Sequence, residues 1–209
     1  MGWLRDIACR AAAYHGCGVL AGGRVCGVAI DRRDRPGYRV VIADPRGSIT
    51  LTAIVPGQRG TLANLYQLYL HDMSAFVSLE LDTSGRFVFD GDTLDQYFRA
   101  AGGTAYFIRY GRAIAGFVLV RRYPPSPSIF DIEQFFVLRG YRGLGVGRQA
   151  LAGCLARHPG RWQIRVMHEN RPAQAFWQRA IAELTGGRYV QAEACDGDLP
   201  MCFFTFASP

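Results

Sequence analysis

Between residues 139 and 148 the chain reads Arg-Gly-Tyr-Arg-Gly-Leu-Gly-Val-Gly-Arg, so Gly143, Gly145 and Gly147 alternate beside Arg142 and Arg148. A strand-like run, FDIEQFFVL (130–138), precedes this stretch, and a helix-like run, RQALAGCLARH (148–158), follows it. A strand that ends in a glycine-rich turn and feeds a helix leaves unpaired backbone N–H groups aimed at one spot. The positive end of the helix dipole stands behind them. Phosphate suits such a spot. The glycines let the backbone approach a ligand closely, and Arg142 and Arg148 add charge-assisted donors.

Gly145 to Ala150 also fits G-x-G-x-x-[GA], and Glu169 lies at the end of the following strand, so a dinucleotide has to be weighed. A doubly wound nucleotide domain needs several more β-α units than the single strand-helix unit and terminal hairpin that remain here. Other tempting groups lead nowhere. His168-Glu169-Asn170-Arg171-Pro172 begins like H-E-x-x-H but ends in proline, and no metal is expected. Ser126 and Ser128 have no histidine or carboxylate at a hydrolase spacing. His71-Asp72 closes a helical run, where a histidine is ordinarily a dipole partner and contact with a substrate is the alternative.

Composition narrows the chemistry further. All 24 basic residues among the 209 are arginine, which excludes Schiff-base chemistry, a pyridoxal anchor and the G-x-x-x-x-G-K-[ST] phosphate loop. A net charge of +7 favours an anionic ligand, but the arginines are scattered. No helix-turn-helix, zinc-finger or RNP signature accompanies them, so nucleic acid is not the expected partner. The six cysteines form no C-x-x-C pair and read as small hydrophobes. The charge-free stretch 11–23 is shorter than a membrane span and broken by His15 and glycines, so a cytoplasmic protein with no membrane partner is expected.

Elements able to position the glycine loop follow from periodicity. Residues 1–46 are rich in Gly, Ala and Arg and form an N-terminal extension whose order is left open, with room for one hairpin. From 47 to 209 the signals sharpen into one domain. SITLTAIV (48–55) is a strand, and TLANLYQLYLHDM (61–73) is a helix with Leu62, Leu65, Tyr66, Leu68, Tyr69 and Met73 at helical spacing. A short amphipathic piece at 93–101 comes next, then a hairpin of strands 104–110 and 113–123, and the proline-rich 124–128 leads into strand 130–138. Strand 161–167, a helix through 173–184 and strands 188–194 and 201–207 complete the chain. The order β-α-α-β-β-β-α-β-α-β-β describes an α/β (α+β) fold, one mixed sheet with helices packed on it.

Val137 to Gly147 resembles the R/Q-x-x-G-x-[GA] signature of the GNAT superfamily of acyl-CoA-dependent N-acyltransferases. Asn170, Ala173, Phe176 and Trp177 resemble that family's second motif, N-x-x-A-x-x-F-Y, and the likeness extends over 48–209. It implies a mixed, mostly antiparallel central sheet with helices on both faces and a splayed parallel strand pair at the coenzyme site. The implied acyl donor is acetyl-CoA. Arg142, Gly143, Leu144, Gly145, Val146, Gly147 and Arg148 would hold its pyrophosphate, unpaired main-chain groups near Phe136 and Val137 its pantetheine arm, and Asn170 and Trp177 would lie beside it. Since chains of this family commonly start at a strand like 48–55, residues 1–46 are either an accessory hairpin or an upstream stretch that is never translated.

The implied reaction is N-acetylation of a primary amine on a small-molecule or peptide acceptor by direct attack, in a monomer or homodimer. Strand alternation puts Asp131, Glu133, Phe135 and Val137 on one face and Ile132, Gln134, Phe136 and Leu138 on the other. Glu133 is the candidate catalytic base, because many family members carry an acid on this strand; the alternative is a hydrogen-bonded sheet carboxylate. Trp177 stands where the family has its proton-donating tyrosine, and an indole N–H is no donor to a thiolate. Tyr189, Tyr123 and bulk water remain as sources. A non-catalytic acyl-CoA-binding sensor or interaction module is the rival reading.

Overall fold

Runs of β-branched and aromatic residues, bounded by glycine or proline, build the sheet that carries the loop. The computed structural model describes residues 47–99, 103–197 and 199–209; the extension 1–46 lies outside the described residues. Strand β1 (Ile49–Ala53) leads through a 3-10 turn into helix α1 (Arg59–Met73), and a one-turn helix α2 (Asp92–Asp95) follows. Then come β2 (Thr104–Tyr110), β3 (Ala113–Tyr123), β4 (Ser126–Val137), α3 (Val146–Arg157), β5 (Arg161–Met167), α4 (Arg171–Thr185), β6 (Tyr189–Asp196) and β7 (Leu199–Ala207). The proline-rich stretch is shorter than a leading loop: Pro124 and Pro125 make the turn, and β4 already begins at Ser126.

The seven strands lie in the order β1-β2-β3-β4-β5-β7-β6, and β4–β5 is the parallel pair in an otherwise antiparallel sheet. This is the mixed α/β architecture expected from the sequence. Along β2, Tyr106, Ile108 and Tyr110 turn to one face while Ala105 and Phe107 turn to the other. The first face carries α3 and α4 on a cluster containing Leu151, Trp162, Ile164, Ile181 and Phe204. The second carries α1, whose Leu62, Tyr66 and Leu70 repeat every four residues, against Phe107 and Phe117. Each such fully buried side chain contributes about 1.5–3 kcal/mol. Among the described residues no helix is long and apolar enough to cross a membrane.

Local signals set the ends of α4. Asn170 caps it, its Oδ1 accepting from the Ala173 N–H at 3.1 Å. Pro172 sits in its first turn, and Gly186 ends it at φ 62°, a left-handed conformation that favours glycine.

The β3–β4 register contains one irregularity that matters for the site. Leu119 stands opposite Gln134 and Val120 opposite Ile132, so Glu133 is an extra residue in a β-bulge. A bulge bends its strand, adds twist and re-aims side chains.

Candidate active site

Just past the bulge the sheet opens. Strand β4 pairs with β5 only from Ile129↔Arg161 to Ile132↔Ile164, yet β4 continues to Val137 and β5 to Met167. On its other edge β4 stays bound to β3, where Leu138 donates its N–H to the Ala115 carbonyl at 2.8 Å. Antiparallel pairing alternates, so the main-chain groups of Phe136 also face β3, while those of Phe135 and Val137 face the gap. The sequence places unpaired groups near Phe136 and Val137; the register instead turns those of Phe135 and Val137 to the gap, where the Val137 carbonyl accepts from Arg142. Gly116 enforces this closeness, for a Cβ there would lie 1.9 Å from the Phe136 carbonyl oxygen.

The loop after β4 makes a 3-10 turn at Arg139–Tyr141 and then two left-handed turns, at Gly143 (φ 78°) and Gly145 (φ 74°). Gly145 is the N-cap of α3 and no side chain caps it. The first bond of the helix runs from the Gln149 N–H to the Gly145 carbonyl at 3.1 Å. The N–H groups of Gly145, Val146, Gly147 and Arg148 are therefore left over. Gly147 is glycine for a different reason, because a Cβ there would come 2.8 Å from the Phe176 ring. Leu144 points outward, 45% exposed.

A cleft of about 770 Å³ joins the loop to the strand gap. Its wall passes through the sheet: Phe135, Val137, Phe176 and Trp177 belong with the α3/α4 side, and Tyr69 and Phe136 with the α1 side. Gly143, Gly145, Val146, Gly147, Arg148 and Asn170 line it too, and Leu144 does not. Arg142 reaches across the opening, its Nε donating to the Val137 carbonyl at 2.8 Å and its Nη2 pairing with Asp72. Arg139 holds the other Asp72 oxygen at 2.7 Å. Burial pushes the Asp72 carboxyl up, but the hydrogen bonds and charges of Arg142 and Arg139 outweigh it and hold the carboxyl below the usual carboxylate range. Arg148 lies 3.5 Å from Glu183 in an exposed pair, an arrangement worth little.

Glu133 is parted from Phe135 and Val137, with which simple alternation groups it. It keeps the face of Asp131, on the α1/α2 side, where one carboxylate oxygen meets Arg121 Nη1 at 2.7 Å and the other accepts from the Tyr97 hydroxyl, and the bulge turns over the strand that follows. Phe135 and Val137 pack on the opposite side. Glu133 is not among the residues lining the cleft. The Glu133–Arg121 pair opens a chain of ionic contacts: Arg121 to fully buried Asp131 at 3.3 Å, Asp131 to Arg165 at 2.7 Å, and Arg165 to Asp196.

Trp177 is 6% exposed and meets the rings of Phe135 and Phe176 edge-on at 5.0 and 4.9 Å, so its place is in the wall. Neither tyrosine considered as a proton source borders the cleft: Tyr123 lies under Arg165 and Tyr189 beside Phe204. Tyr69 does border it, and the sequence reading missed it because its helical spacing marked it as core. Burial, with Tyr66 and Glu133 nearby, holds its phenol far above the usual range, so it stays protonated. Of the pair closing α1, Asp72 borders the cleft and the His71 side chain is 68% exposed.

Comparison with known proteins resolves which family builds this arrangement. The acetyltransferase (GNAT) family matches residues 62–181, from α1 through the glycine loop to α4. The chain belongs to the GNAT acetyltransferase family. No curated protein sequence matches it. Among solved structures, the fold of this GNAT chain is similar to an acetyltransferase from Thermus thermophilus (19% identity, TM-score 0.57, covering 77% of this chain and 97% of that one). It is also similar to spermidine N-acetyltransferase from Vibrio cholerae, solved with CoA and spermine (12% identity, TM-score 0.56, 77% and 95% covered). A third likeness is to a Salmonella typhimurium protein solved with its cofactor acetyl-CoA (12% identity, TM-score 0.51, 76% and 93% covered). At such identities these likenesses concern the fold.

Proposed function

We propose that this GNAT chain is an N-acetyltransferase that moves the acetyl group of acetyl-CoA to a primary amine by direct attack. The observation that carries the reading is one cleft that joins the leftover N–H groups of α3 to the unpaired main-chain edge of β4. The first is suited to a diphosphate and the second to an amide-bearing arm. The main-chain N–H groups of the 143–148 loop take the pyrophosphate, with the Arg148 side chain adding charge. Phe135 and Val137 offer main-chain groups to the pantetheine amides and, at the thioester, an N–H to the developing oxyanion. Arg142 has to yield the Val137 carbonyl to the incoming arm while its pair with Asp72 keeps it at the entrance. Asn170 lends its amide N–H₂, and Trp177 is wall.

In the reaction the neutral amine nitrogen attacks the thioester carbonyl carbon, a C–N bond forms and the carbonyl pair moves to oxygen. That pair returns as the C–S bond breaks, the nitrogen loses its surplus proton to water, and the sulfur takes a proton from the Tyr69 hydroxyl, which water then restores. Glu133, held by Arg121 and Tyr97, is a positioning residue that keeps the bulge and hence the gap, rather than the base.

A non-catalytic acyl-CoA sensor is favoured by one observation, the tryptophan at position 177. Thiol release from acetyl-CoA with a panel of amines, beside calorimetry of acetyl-CoA binding, separates the readings. Amine-dependent release supports the enzyme, binding without turnover supports the sensor, and no binding removes both.

A further inference from the structure

Resting on the N-acetyltransferase reading, we infer that the acceptor is a monoamine with an uncharged aryl or alkyl body, and not a polyamine or a basic peptide. The glycine loop takes the anionic donor at one end of the cleft, so the amine has to reach the gap from the α1 side of the sheet. Apart from Asp72, the wall there is made by Tyr69, Met73, Ala75 and Phe76, at the end of α1 and just after it, together with Phe136. None of these carries a charge. Tyr69 and Phe136 meet edge-on at 6.2 Å and form an aromatic floor.

A second ammonium on the acceptor would need a carboxylate, and the carboxylates near this end are already engaged. Asp72 is held on one oxygen by Arg139 and on the other by Arg142. Glu133 is held by Arg121 and Tyr97. Among the described residues the cleft is lined by Arg139, Arg142, Arg148 and Arg179 against Asp72 and Glu183, an excess of positive charge. The donor's diphosphate takes up that excess at the glycine-loop end, and at the apolar wall an unpaired buried ammonium costs far more than apolar contact returns.

The test measures kcat/KM of the full chain for 2-phenylethylamine, hexylamine, spermidine and a lysine-rich peptide at fixed acetyl-CoA. The two apolar monoamines should exceed the two polycations by about tenfold or more, the scale of one buried apolar group. Met73→Glu, which adds an unengaged carboxylate to the apolar wall, should shift the ratio toward spermidine. Preference of the wild type for spermidine or the peptide, or an unshifted ratio in M73E, overturns the inference while leaving acetyl transfer standing. Acetyl-CoA binding with no turnover of any amine instead removes the enzyme reading and this inference together.

Discussion

Glu133 and Phe135, two positions apart on one strand, project to opposite faces of the sheet: Glu133 meets Arg121 at 2.7 Å on the α1 side, while Phe135 packs against Trp177 at 5.0 Å on the other. The extra residue at Glu133 produces this reversal, and the β4–β5 pairing ends beside it at Ile132. Substituting Glu133→Gln should therefore act on the bulge. The pH–rate profile is expected to keep its shape, while stability falls by about 1–3 kcal/mol as charge-assisted contacts weaken. Thermal melting and a pH series of initial rates check both parts; loss of activity concentrated at low pH would restore the carboxylate as the base.

Gly145→Asp places a side chain at φ 74° and a negative charge among the leftover N–H groups of α3. Acetyl-CoA binding by calorimetry should vanish while the circular dichroism spectrum stays native. Retained affinity would remove the loop from the donor site.

Tyr69→Phe removes the hydroxyl of a residue that lines the cleft and leaves its ring packing against Phe136. With Tyr69 as proton donor, the single-turnover rate should fall by about a hundredfold, the lower end of general-acid contributions. Acetyl-CoA affinity should hold, and the solvent deuterium isotope effect of the wild type should disappear. A slower variant that keeps the isotope effect would mark a packing role only.

Asp131 is fully buried between Arg121 and Arg165. Asp131→Ala leaves both guanidinium groups without their shared partner and should cost about 3–5 kcal/mol in denaturant unfolding, the range for breaking a buried ion pair from one side. A loss under about 1 kcal/mol would mean that Asp196 and Glu133 compensate.

Burial, and after it the charges of Arg122 and Arg157, lower the His158 pKa in the folded chain, where its Nε2 lies 2.8 Å from the Tyr106 hydroxyl. The unfolded chain then binds a proton first as pH falls. This contribution to stability is complete above the unfolded pKa of about 6.5 and is lost as pH falls toward the folded value. His158→Asn should flatten the dependence of stability on pH just below about 6.5. An equally steep dependence in the variant would assign the slope to other groups.

Several features were decided by the sequence alone, because each depends on neighbours along the chain. Alternating apolar residues place β2 and β3, four-residue spacing places α1, and Asn170 with Gly186 bounds α4. The glycines at 143 and 145 announce left-handed turns that no other residue adopts easily. From these came the order of elements and the loop suited to phosphate.

Only the tertiary structure decided the rest. Strand β7 inserts between β5 and β6, although the chain makes β6 first. The bulge at Glu133 exists in the register with β3 and in no local pattern. Arg142 finds Asp72 across 70 positions of sequence, and Tyr69 turns from a periodic core residue into a wall of the cleft. The physical reason is common to all of them. Periodicity reports which face of an element is apolar, but cross-strand register, strand insertion and long-range ion pairing are settled when whole elements pack, and no residue encodes them by its spacing alone.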